Sequence, residues 1–180
     1  SMQHPSRFIL VGTMTPEEGE LRPQILDRFG IYAETENIED PELRRLVIHR
    51  NEESLADPYS FVSMYKDGAE ELRSRIQAAR KLLPKVGAPQ EALSTVAKTC
   101  STLRVDGFRP DIVSVKVAKA LAAFHGRETI TPEDIAVSVE LALGHRTRRS
   151  GLTPPPTTAE IRRALGRAKS PLKLRFGLSA

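Results

Sequence analysis

The chain has no tryptophan, a single cysteine among 180 residues and only 5% aromatics. A core without large rings is filled by aliphatic side chains and alanine, as in a helical bundle. Cys100 cannot close an internal disulfide, which suits a reducing compartment. It stands at helical spacing from Leu93, Val96 and Ala97 and reads as a small buried hydrophobe. His4, His49, His125 and His145 are far apart and lack the spacing of a ligand set, so no metal site is expected. No Ser/His/Asp constellation stands out. There is no signal peptide and no apolar run long enough to span a membrane, and a cytoplasmic setting is expected. A Gly-rich loop ending in Gly-Lys-Ser/Thr is also missing, so the chain has no loop of its own to cradle phosphates.

What is present is unevenly charged. The formal charge is +4, yet residues 145–180 hold nine of the 27 Lys/Arg and one of the 23 acids. The tail is therefore +8 and the rest −4, so the alkaline character belongs to the tail. Ser1-Met2 reads as an expression scar, and the chain as a piece of something longer.

Phe8-Ile9-Leu10-Val11-Gly12 is a fully apolar run of the kind found in a strand covered on both faces. Gly30 to Thr35 is a second candidate strand. Two short strands make no stable sheet, so the remaining strands are expected outside the chain. Asp40-Pro41-Glu42 opens a helix, with Asp as N-cap and Pro at the first helical position. Asp57-Pro58 breaks it. From about residue 60 the chain is helical, with Leu72, Ile76, Ala79 and Leu83 on one stripe. A further helix spans about Gln90 to Leu103. Another spans about Asp111 to His125, with Val113, Val117, Ala120, Leu121 and Phe124 inward. Thr131-Pro132-Glu133-Asp134 starts one that ends near Gly144. Gly151 to Pro156 is a stiff, extended linker, and Thr158 to Arg167 can form a basic helix.

The stretch from Thr13 to Gly30 is the most informative. It sets Glu17, Glu18 and Glu20, with Arg22 and Arg28, just beyond the apolar run. The carboxylates are either an acid/base group or a solvated turn. Arg28, at the end of a short helix, is either a functional cation or a surface charge on the last carbonyls.

Three segments, FILVGTMTPEEGELRPQILDRFG, LLPKV and VDGFRPDIVSVKVAKALAAFHGRETITPEDI, together resemble the ATPase motor subunit of magnesium chelatase over about residues 4 to 148. Related chelatase subunits and cobalt-inserting relatives share similar segments. The resemblance implies an AAA+ ring ATPase, of which this chain looks like the C-terminal half of the module. The implied fold is mainly α: the C-terminal portion of an α/β core with one or two strands, then a four-helix lid. The expected divisions are 1–58 for the core piece, 59–145 for the lid and 146–180 for a basic linker or tail.

The same resemblance implies the roles of the site residues. Arg28 matches the arginine finger, acting in trans on a neighbour's ATP, where a planar guanidinium suits the charge on γ-phosphate oxygens. Arg109 matches the sensor-2 arginine, which reports ATP phosphate to the lid. Thr15 falls at the sensor-1 position, where the family usually has Asn; Thr hydrogen-bonds but has a shorter reach and no amide. Arg22 faces the subunit interface or a structural ion pair, and Glu17 and Glu18 are placed at that interface too. ATP and Mg²⁺ serve the parent protein, and this chain alone, without its phosphate loop, is expected to bind neither tightly. The implied partners are a homo-hexameric ring or a sister AAA+ subunit, and a catalytic chelatase subunit that inserts metal into a tetrapyrrole, as in chlorophyll biosynthesis. The other readings are a non-catalytic lid that docks or remodels a partner, and a DNA-associated AAA+ fragment anchored by its tail. Phe176 alone offers no stacking platform, so nucleic acid is the weaker of these.

Overall fold

The computed structural model describes residues 8–15, 17, 19, 21–149 and 151–168. Among these, eight α-helices form: α1 (Pro23–Leu26), α2 (Pro41–Ala56), α3 (Pro58–Met64), α4 (Lys66–Leu82), α5 (Gln90–Leu103), α6 (Arg109–Phe124), α7 (Pro132–Leu143) and α8 (Thr158–Ala168). The architecture is mainly α, as expected. The two anticipated strands do not form among the described residues. Phe8, Ile9, Leu10 and Val11 are 64–88% exposed, because no described backbone lies alongside to take up their amides and carbonyls. The few β-bridges, such as Gly87 with Thr129, are isolated.

The caps act as their residue types dictate. The Asp40 carboxylate accepts the Glu42 amide and Asp57 accepts those of Tyr59 and Ser60, each just before a proline at the helix start. Thr131 and Asp134 form a reciprocal capping box on α7. Thr157 and Glu160 do the same for α8: the Glu160 carboxylate accepts the Thr157 amide at 2.8 Å. That Thr-x-x-Glu signature is a capping box legible in the sequence itself.

The core lies where α5, α6, α7 and α8 meet. It contains Val96, Cys100, Leu103, Ala118, Ala122, Ile135, Val139, Leu143, Ile161 and Leu165. Cys100 is buried and unpaired, as its spacing suggested. The inward face of α6 corrects the sequence reading. Ser114, Ala118, Ala122 and Ala123 are buried, Val113, Val117, Leu121 and Phe124 are only half-buried, and Ala120 is exposed. Small residues let the α7 backbone approach, and the larger side chains flank the seam; Phe124 carries the Arg75 guanidinium 4.4 Å above its ring.

The stripe on α4 is also shallower than its periodicity implied. Leu72 and Ile76 are exposed, and only Ala79 and Leu82 pack on the core. The largest correction concerns the region beyond residue 145. Its helix, α8, packs against α5 and α7, with Ile161, Ala164 and Leu165 buried in the common core. Among the described residues three of the bases in this region are ion-paired: Arg146 with Asp27 at 2.8 Å, Arg148 with Glu160 at 3.2 Å and Arg162 with Glu140 at 2.6 Å.

Candidate functional site

The segment after α1 runs back over the helical domain, and its docking builds the site. Asp27 is the hub. Its Oδ2 accepts Arg109 Nη1 at 2.5 Å and its Oδ1 accepts Arg146 Nη1 at 2.8 Å. Its backbone carbonyl accepts the same two groups at 2.9 and 2.6 Å. Two residues on, the Phe29 carbonyl accepts Arg146 Nη2 at 2.9 Å and pairs with His145 Nε2 at 3.0 Å. The Tyr32 amide donates to the Leu141 carbonyl at 2.9 Å.

Arg28 lies in the middle of this docked loop, yet its side chain is exposed. Nη1 lies 3.5 Å from the Gln24 carbonyl, one turn back. Arg109 is the first residue of α6 and is half-exposed. Arg109 thus contacts Asp27, the residue that precedes Arg28 in the chain, while the Arg28 side chain points back to α1. Thr15 and Glu17 form a separate local group. The Glu17 carboxylate accepts its own backbone amide and the Thr15 hydroxyl, which hold it below the ordinary carboxylate range. Thr15 and Glu17, like Arg22, are exposed; Glu18 lies outside the described residues.

The sequence reading missed Asp27, His145 and Arg146. Asp27 adjoins Arg28 but carries no motif of its own, and Arg146 opens an Arg-Thr-Arg-Arg run that was counted with the basic tail. Arg146 is 1% exposed, with burial drawing its pKa down and Asp27 opposing that. Burial also lowers His145, against the hydrogen bond to the Phe29 carbonyl. With Nε2–H given to that carbonyl, the buried Nδ1 has no hydrogen-bond partner among the described residues.

Among the described residues no group of three His, Cys, Asp or Glu is placed to hold a metal ion, and no helix is long and apolar enough to cross a membrane. A groove of about 750 Å³ between α5, α7 and α8 is lined by Ser94, Thr95, Lys98, Thr131 and Ile135. None of the candidate residues lines it.

Residues 93–164 match the family model of the AAA lid domain, which takes in α6, α7 and most of α8. Over 148 residues, 82% of this chain, the sequence is 47% identical to a magnesium-chelatase subunit ChlI of Trieres chinensis and 45% identical to that of Synechocystis. It is 48% identical over 147 residues to a magnesium-chelatase subunit ChlI homolog of Methanocaldococcus jannaschii. The chain belongs to this AAA+ family. It spans 40–42% of the length of these relatives. The family's lid therefore includes residues that the sequence reading had assigned to the tail, and Arg109, His145 and Arg146 all fall within it.

Proposed function

We propose that this chain is the finger-and-lid portion of a cytoplasmic AAA+ motor, which hydrolyses ATP in a ring and drives a separate chelatase subunit to insert metal, Mg²⁺ foremost, into a tetrapyrrole. The observation that carries this reading is the exposed Arg28 guanidinium on a loop whose flanking residues are fixed to the lid. Arg28 projects into a neighbouring subunit's site and meets the γ-phosphate as negative charge builds there. Arg109, half-exposed on a helix start, exchanges the Asp27 carboxylate for a phosphate oxygen. Both acceptors are anionic oxygens, so the exchange keeps a charge-assisted bond throughout.

The residues present suit phosphate recognition by guanidinium groups. They offer no magnesium donor set among the described residues. Thr15 supplies a hydroxyl at the sensor-1 position. Arg22 and Glu17 are read as residues of the subunit boundary.

The test is Arg28→Ala in the full-length ATPase. Turnover falls by about 10³-fold or more while ATP binding is retained. Loss of ATP binding instead would make Arg28 a structural residue and remove the finger reading.

A further inference from the structure

The C-terminal end of α7 holds an arrangement that the roles above do not use. Arg146 is almost fully buried, which is rare for arginine and costly unless every donor is engaged. Its donors go to specific acceptors. Nε bonds the Ala142 carbonyl in the last turn of α7 at 3.0 Å; Nη1 takes the Asp27 carbonyl and carboxylate; Nη2 takes the Phe29 carbonyl. His145 doubles the bond to Phe29. The carbonyls of the residues immediately before and after Arg28 are therefore both held by the lid.

Arg109 and Arg146 share Asp27 unequally. Arg109 is half-exposed and touches Oδ2; Arg146 is enclosed and touches Oδ1. When Arg109 turns to a phosphate, Arg146 remains to hold Asp27 and its loop.

We propose that Arg146 is the positioning residue of the arginine finger: it fixes the Asp27–Phe29 backbone to the end of α7, so that lid and finger move as one body. This rests on the reading of Arg28 as a finger. A buried ion pair is a poor source of net stability compared with apolar packing. It does fix direction: bonds from one planar fork set the loop's position and orientation together. A catalytic cation misplaced by about 1 Å can cost about 10²-fold in rate.

The experiment is a double-mutant cycle in the full-length ATPase, with kcat and KM for ATP measured for Arg28→Ala, Arg146→Met and the double variant. Arg146→Met is expected to lower kcat by about 10²-fold with KM within about twofold. In the double variant kcat should be no lower than in Arg28→Ala alone, because Arg146 acts only through Arg28. Arg146→Lys, which keeps the charge but cannot reach Asp27 and Phe29 together, should fall between. Multiplying losses, or a raised KM with kcat intact, would overturn the proposal. If Arg28→Ala damages turnover and Arg146→Met does not, this inference fails and the finger reading survives. If Arg28→Ala is silent, both fall. Should circular dichroism show Arg146→Met unfolded, Arg146→Lys carries the same cycle with the same deciding outcomes.

Discussion

Arg127 holds Asp134 with both arms of its guanidinium, Nη1 to Oδ2 at 2.6 Å and Nη2 to Oδ1 at 2.7 Å. The pair ties the turn after α6 to the first turn of α7. The same carboxylate accepts the Thr131 amide and hydroxyl, so one buried side chain ends one helix connection and caps the next helix.

Removing Asp134 should therefore be costly. Asp134→Ala strips the cap and leaves Arg127 unpaired, a loss of about 2–3 kcal/mol. Chemical denaturation would read it as a lower midpoint at unchanged slope.

Acid should act through the same residue. The hydrogen bonds from Arg127, and then those from Thr131, hold the Asp134 carboxyl below the ordinary carboxylate range. Because the folded pKa is depressed, its stabilisation is complete above the unfolded pKa of about 4 and disappears as pH falls through the lower folded value. Thermal melts from pH 6 downward should show a drop below about pH 4 that Asp134→Asn shows to a smaller extent.

His145 gives a second acid response at higher pH. Burial, with Arg146 adjacent, lowers its pKa, while the Phe29 carbonyl and Asp27 oppose the shift. The unfolded chain binds the proton first, so stability is whole above about pH 6.5 and declines below it until the folded value is passed. Denaturation midpoints between pH 8 and 5.5 should slope in the wild type and flatten in His145→Gln.

The seam between α6 and α7 should reject bulk. Ala118 and Ala122 are fully buried, and no space remains for added methylenes. Ala122→Leu is expected to cost about 1–3 kcal/mol by overpacking, read as a fall in melting temperature. A leucine at exposed Ala120 should cost little by the same measure.

Cys100 should be inert in the folded protein. Burial, and then the nearby Asp111, push its thiol well above the ordinary range, leaving almost no thiolate at neutral pH. A thiol reagent should modify it only in denaturant; rapid labelling of the native chain would contradict its burial.

Where local chemistry decides, the sequence was readable. Asp40 and Thr131 announced their helices because a short oxygen-bearing side chain before proline satisfies free amides wherever the rest of the chain lies. The limits of α5 followed from its periodicity and from the proline connector before it. The direction of α6 did not: hydrophobicity alone favoured its valines, Leu121 and Phe124, while close approach of α7 selected its serine and alanines. The apolar run at Phe8–Val11 is strand-like in composition, but a strand exists only where another backbone pairs with it.

The candidate site divides the same way. Sequence alone determined the helical character of this protein, the caps that start its helices, and the long segments whose likeness assigned it to the AAA+ chelatase family and pointed to Arg28 and Arg109. Only the tertiary structure decided that Asp27 joins Arg109 to Arg146, that an arginine in a basic run is buried, and that the helix beyond the linker belongs to the lid. Those facts rest on contacts across 82 and 119 residues. A charge's value depends on what the fold sets against it, and spacing along the chain carries no record of that.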